Sequence, residues 1–162
     1  MSHPDPSLIK ALTMAFEGTE AHVKTLNALA GLTADESGRK PGNVPHSIFQ
    51  LLNHLVYWQG KSIEWLDGRE PAWPEHAVDG WPGAEEPESQ EAWDSLLARF
   101  TNDLETIGGH ARRDDLLTVR GRWAPVQVLR SIASHNSYHL GQIALIRRMV
   151  GSWPPPGGGD TW

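Results

Sequence analysis

Ser134-His-Asn-Ser-Tyr-His-Leu-Gly-Gln142 lies in a segment where Val128, Ile132, His135, His139, Gln142 and Ile146 recur at three- and four-residue spacing. That period puts all six on one face of a helix. The helix is expected to open near Ala124-Pro125, because proline suits a first helical position, and to run to Val150 with Gly151 as its stop. The tail beyond it, Trp153-Pro-Pro-Pro-Gly-Gly-Gly-Asp-Thr-Trp162, cannot be helical. Two imidazoles at i and i+4 have Cβ atoms roughly 5–6 Å apart. On an apolar face, each ring nitrogen that can donate or accept needs a partner.

A third histidine poses the same problem. His54 stands in Leu51-Leu-Asn-His-Leu-Val-Tyr-Trp58, within a stripe of Ile48, Leu51, Leu52, Leu55, Trp58 and Ile63. Ser47 followed by Gln50 reads as a capping box that starts this second helix, with His54 in its second turn on the inward side.

Two further helices complete the pattern. The first is expected to start at Asp5 or Ser7, with Asp5-Pro6 as cap and first turn. Leu8, Leu12, Phe16, Thr19, Val23, Leu26 and Ala30 carry it to a stop at Gly31. The third fits Ser89 to Ile107, with Trp93, Leu96, Leu97, Phe100 and Leu104 as its stripe and Gly108-Gly109 as its end. Residues 31–46 read as a connection, and His110 to Trp123 as either extended chain or packed loop. From Asp67 to Pro87 the chain is rich in proline and glycine and carries Trp73 and Trp81. A loop of that length in a compact domain is functional or hides a short helix. Four long helical segments without a strand ladder predict an all-α, four-helix bundle, a fold whose facing helices commonly build a metal site. The long connections do not force an up-down-up-down order.

A chain of 162 residues is expected to form one domain, 1–162, with a core that needs no staples. The formal net charge of −6 with scattered basic residues gives no footprint for nucleic acid or an anionic membrane. Without cysteine there is no disulfide, no zinc–thiolate site and no cysteine nucleophile, so any metal must be held by histidine, carboxylate or water. No apolar run approaches spanning length and the first residues do not read as a leader, so a cytoplasmic location is the expectation. Tryptophan occurs eight times against two tyrosines and three phenylalanines. Trp73, Trp81, Trp153 and Trp162 fall in Pro/Gly-rich stretches, where indole packs over a core edge, a pocket or a partner subunit.

Three neutral imidazoles with open positions left over are the donor set of a catalytic rather than a structural metal, and suit zinc, nickel, copper or iron. His54, His135 and His139 are the candidate ligands. The plain alternative is that each is a hydrogen-bonded core histidine. Neither His-Glu-x-x-His nor Glu-x-x-His occurs, which excludes zincin and paired di-iron motifs. Gly60-Lys61-Ser62 ends like a phosphate loop, but Leu55 holds the upstream glycine position. Glu20, His22, His46, Asn136 and Tyr138 are candidates for proton transfer, and Asn136 or Gln142 for orienting a ligand. No catalytic base is assigned.

The Leu-Leu-Asn-His-Leu-Val-Tyr-Trp segment and the later His-Asn-Ser-Tyr-His-Leu-Gly-Gln-Ile, followed by Arg147-Arg148, Gly151 and Trp-Pro-Pro-Pro, resemble the DinB-like family, also called DinB/YfiT-like metalloenzymes. The resemblance extends in order along nearly the whole chain. It implies an up-down-down-up four-helix bundle, often a homodimer, that binds a divalent metal such as zinc or nickel through three histidines, here His54, His135 and His139. Relatives include low-molecular-weight thiol S-transferases, a thiol-dependent maleylpyruvate isomerase and members without an assigned reaction. The family name reflects damage-inducible expression and does not imply DNA binding.

The function expected on this basis is a metal-dependent thiol S-transferase or hydrolase acting on a small-molecule substrate, with a low-molecular-weight thiol as a further candidate cofactor. The Trp-rich loop and Trp162 would wall its pocket. The alternative is a non-catalytic, stress-associated metal-binding dimer whose exposed tryptophans form the interface. A plain helical interaction module with core histidines is the third reading.

Overall fold

The computed structural model describes residues 5–19 and 21–159. These residues are all-helical: six α-helices and one 3₁₀ turn, with a lone antiparallel bridge between Arg120 and Trp123 in place of any strand. Among them, no helix is long and apolar enough to cross a membrane. Glu20 and Trp162, both named above from the sequence, lie outside the described residues.

Helix α1, Pro6–Glu17, starts on the Asp5 carboxylate, which accepts from the Ser7 amide at 2.8 Å. It stops at Gly18, whose φ of 74° is left-handed, and the chain re-enters a helix only at α2, Thr25–Leu29. This corrects the single first helix expected to reach Ala30. The His22 imidazole folds back over Gly18, so a Cβ there would lie 2.5 Å from His22 Cε1, and the Thr25 hydroxyl donates to Phe16 O at 2.7 Å across the break. The apolar stripe turns with it: Leu26 is exposed while Ala28 and Leu29 are fully buried.

The expected connection contains a short helix, α3, Ala34–Gly38, opened by a Thr33/Glu36 capping box. Helix α4, Ile48–Leu66, begins with the expected Ser47/Gln50 box. The chain from 67 to 89 holds only the 3₁₀ turn Ala77–Gly80. Helix α5, Gln90–His110, runs through the Gly108-Gly109 pair expected to stop it. Ile107 and Ala111 are both fully buried at its end, and that packing outweighs the roughly 1 kcal/mol each glycine costs a helix. Helix α6, Pro125–Met149, is the longest, with Arg147 and Arg148 in the last turn near its negative pole.

Two apolar clusters organise the packing. One gathers Leu29, Ile48, Leu52, Leu55, Trp93, Phe100, Leu140 and Ile143, and the other Leu12, Phe16, Trp65, Leu66, Ile107, Leu129 and Ile132. Helices α4 and α5 pass through the first cluster and then the second, and α6 passes through them in reverse. His135 and His139, between Ala133 and Leu140, therefore sit where α6 passes from one cluster to the other, and His54 lies in the first cluster's stretch of α4, between Leu52 and Leu55. Neighbours that thread a core in the same order need a long crossover, which accounts for the connection between α4 and α5.

Candidate metal centre

The α4–α6 contact brings the three sequence-predicted histidines together. His54 Nε2 lies 3.2 Å from His135 Nε2, and His139 Nε2 lies 3.1 Å from the same atom. One ring nitrogen from each falls within 4.8 Å of the others. His54 and His139 are each 6% exposed, and His135 is half-buried.

The far sides of two rings are pinned. His54 Nδ1 lies 2.9 Å from Gly80 O, in the 3₁₀ turn, and His139 Nδ1 lies 2.8 Å from Gln142 Oε1, one helical turn on. Both oxygens only accept, so both Nδ1 atoms carry hydrogen and both Nε2 atoms present lone pairs toward His135. Two lone pairs converge on a third imidazole, and that donor set is complementary to a divalent ion and poorly complementary to itself.

Electrostatics keep the cluster neutral. Burial, then the neighbouring His139 and His54, push His135 from its ordinary 6.5 down to about 4. Burial likewise lowers His54 and His139, against the opposing bonds from Gly80 and Gln142. Neutral imidazole is the ligating form, so the site stays competent at pH values where an exposed histidine would be charged.

Aromatic rings enclose the centre. Trp81 stacks on His54 with centroids 3.9 Å apart and planes 10° from parallel, Trp58 meets His54 edge-on, and Tyr138 meets His139 edge-on at 5.0 Å. A groove of about 760 Å³ between α1 and α6 is lined by Ser134, Ser137 and Tyr138 and by none of the three histidines, and Tyr138 connects it to His139.

A profile of the DinB superfamily matches residues 17–143. The chain belongs to the DinB superfamily. The matched region contains His54, His135 and His139, and leaves out most of α1 and the proline-rich tail. No curated protein and no solved structure matches the chain.

The other sequence candidates are dispersed. His22 is engaged by Val23 O at 2.8 Å and the Ser137 hydroxyl at 2.9 Å. His46 is separated from His54 by the Trp81 indole, which it stacks against at 3.7 Å. Asn136 is 2% exposed, and its amide hydrogen-bonds neither His135 nor His139. Tyr138 is 66% exposed, at the groove. Trp73 packs on Trp123 and Trp153 lies near Arg148, both away from the histidines. Sequence reasoning missed Gly80, whose contribution is a backbone carbonyl.

Proposed function

We propose that this chain is a divalent-metal-dependent enzyme that carries out thiol transfer or hydrolysis on a small molecule. The observation that carries the reading is the convergence of three Nε2 atoms whose opposite nitrogens, in two of the rings, are already committed to acceptors. An all-imidazole set suits zinc or nickel rather than an oxygen-seeking ion such as calcium or magnesium. When bound, such an ion supplies Lewis acidity, which lowers the pKa of a thiol or water ligand toward neutrality.

The chain's own residues would do the rest. His54, His135 and His139 would hold the ion, and Gln142 fixes the His139 ring. Trp58 and Trp81 exclude water from the His54 side. The groove along α1 and α6 would orient the substrate, and Tyr138, with its ring beside His139, is the best placed of the proton-transfer candidates. The reverse threading of α6 against α4 and α5 supports an up-down-down-up bundle within one domain spanning 1–162. A cytoplasmic homodimer completes this reading.

Elemental analysis of tag-free protein tests it. About one zinc or nickel per chain is expected, lost when His54, His135 and His139 are all replaced by alanine. No uptake after metal addition at neutral pH, or equal uptake by the triple variant, would remove the basis of the proposal. The second reading, a non-catalytic metal-stabilised bundle, draws on the near-complete burial of His54 and His139. It predicts metal-linked stability with no turnover.

A further inference from the structure

Helix α4 places the His54 Cβ, but it does not choose which face of the imidazole turns inward or which nitrogen carries the hydrogen. The chain between α4 and α5 does both. Gly80 O takes the Nδ1 hydrogen at 2.9 Å, and the next residue lays its indole flat on the ring at 3.9 Å. The other face of that indole is covered by His46 at 3.7 Å, with planes 12° apart, so Trp81 is gripped between two imidazoles. It also stands edge-on to His139 at 5.9 Å.

The approach is tight. A Cβ on residue 80 would lie 3.1 Å from Trp58 Nε1 and 3.3 Å from the Tyr57 ring, so those side chains would have to give by a few tenths of an ångström. The turn that presents it is internally braced, with Asp79 Oδ2 accepting from the His76 amide at 2.9 Å. The chain just beyond it is tied to the start of α4, where the Ser47 hydroxyl donates to Glu85 O, and to the connection between α3 and α4, where Lys40 pairs with Glu85 at 2.6 Å.

We propose that Gly80 and Trp81 are positioning residues of the metal centre: they fix the tautomer and plane of His54, so metal affinity and docking of the 77–81 turn are coupled. This rests on the three histidines being the ligands. Coupling of this kind is reciprocal, so zinc must tighten the turn by the same factor that the docked turn tightens zinc.

The experiment measures zinc affinity by competition with a chromophoric chelator, for metal-free wild type, Trp81→Ala, Trp81→Phe and Trp73→Ala. Loss of an outer partner of a ligating histidine lowers affinity about 10-fold or more, and Trp81→Ala is expected to do so. Trp81→Phe, which keeps a flat ring, should recover most of the loss. Trp73→Ala should bind like wild type, because Trp73 sits in the same connection but meets Trp123 instead of the histidines. In the reciprocal arm, zinc should slow amide hydrogen exchange at residues 77–81 in wild type and leave it unchanged in His54→Ala. Wild-type zinc affinity in a folded Trp81→Ala chain, or exchange at 77–81 that zinc does not alter, overturns the inference while the metal reading stands. A wild-type chain that takes up no zinc overturns both. Should Trp81→Ala fail to fold, the exchange arm on wild type and His54→Ala decides alone.

Discussion

Acidifying the metal-free protein should weaken its fold between its histidines' ordinary pKa of 6.5 and about 4, with His135 as the largest single contributor. Burial and two neighbouring imidazoles hold His135 neutral in the fold, whereas the unfolded chain takes up the proton near the ordinary value. Across that window the folded state binds fewer protons than the unfolded state. The stabilisation is therefore fully present above 6.5 and is lost as pH falls through it toward about 4. At about 1.36 kcal/mol per pKa unit the undiluted effect is about 3 kcal/mol, and solvent screening of a half-buried ring reduces it to roughly 1–2 kcal/mol. His54 and His139 are lowered by burial as well and act in the same direction.

Urea unfolding of chelator-treated protein, followed by far-UV circular dichroism from about pH 7 down to about pH 5, reads this directly. A His135→Leu variant should show a shallower pH dependence, by about 1 kcal/mol over the same range. Wild-type stability that stays level or rises on acidification would refute the reasoning. So would a variant with an unchanged slope, because the His135 ring would then not be held neutral by its surroundings.

Saturating zinc, at about 100 times its dissociation constant, should raise stability at neutral pH by about 2.7 kcal/mol. The increment should shrink on acidification because imidazolium cannot coordinate, and an increment independent of pH in thermal scans would speak against histidine ligation. Arg147→Met should cost about 1.5–3 kcal/mol in urea unfolding, the range for losing hydrogen bonds from a charged donor. The Arg147 guanidinium is 2% exposed and donates to Ala28 O at 2.7 Å, Ala30 O at 3.1 Å and Ser152 O at 2.9 Å, and a loss well under that range would mean these carbonyls find other donors. Trp93→Phe should cost about 1–3 kcal/mol, since the fully buried indole donates to Leu32 O at 2.9 Å and phenylalanine leaves that acceptor without it. A neutral outcome by the same assay would show the bond to be dispensable.

The helices were readable where cap chemistry and apolar period agreed. Ser47 and Gln50 at α4 and Pro125 at α6 marked starts that the structure keeps. The reading failed where period alone was followed. Thr19, Val23 and Leu26 continue the spacing of Leu8, Leu12 and Phe16, yet Gly18 turns the chain, and a left-handed glycine is not visible in a hydrophobic pattern. At the end of α5 the error ran the other way, because two glycines look like a stop until the burial of Ile107 and Ala111 is known. Local signals set which backbone conformations are cheap, and tertiary packing decides which of them is used.

The candidate site was legible for a different reason. A histidine in an apolar stripe is a polar group in need of a partner, and three such residues in one chain point to a shared one. The signal is not specific to ligands. Gln59 and Asn136 are equally polar and equally buried in the same two helices, yet neither belongs to the cluster. What separates the histidines from the amides is the direction of their nitrogens, with two Nδ1 atoms spent on Gly80 O and Gln142 Oε1 so that Nε2 faces inward. Gln142 could be anticipated, since it lies three residues from His139 on one helical face. Gly80 could not, because a backbone carbonyl has no residue type and the turn that carries it lies 26 positions from His54. The orientation of the ligating rings is thus divided between a helical repeat that sequence reveals and a loop contact that only the fold can supply.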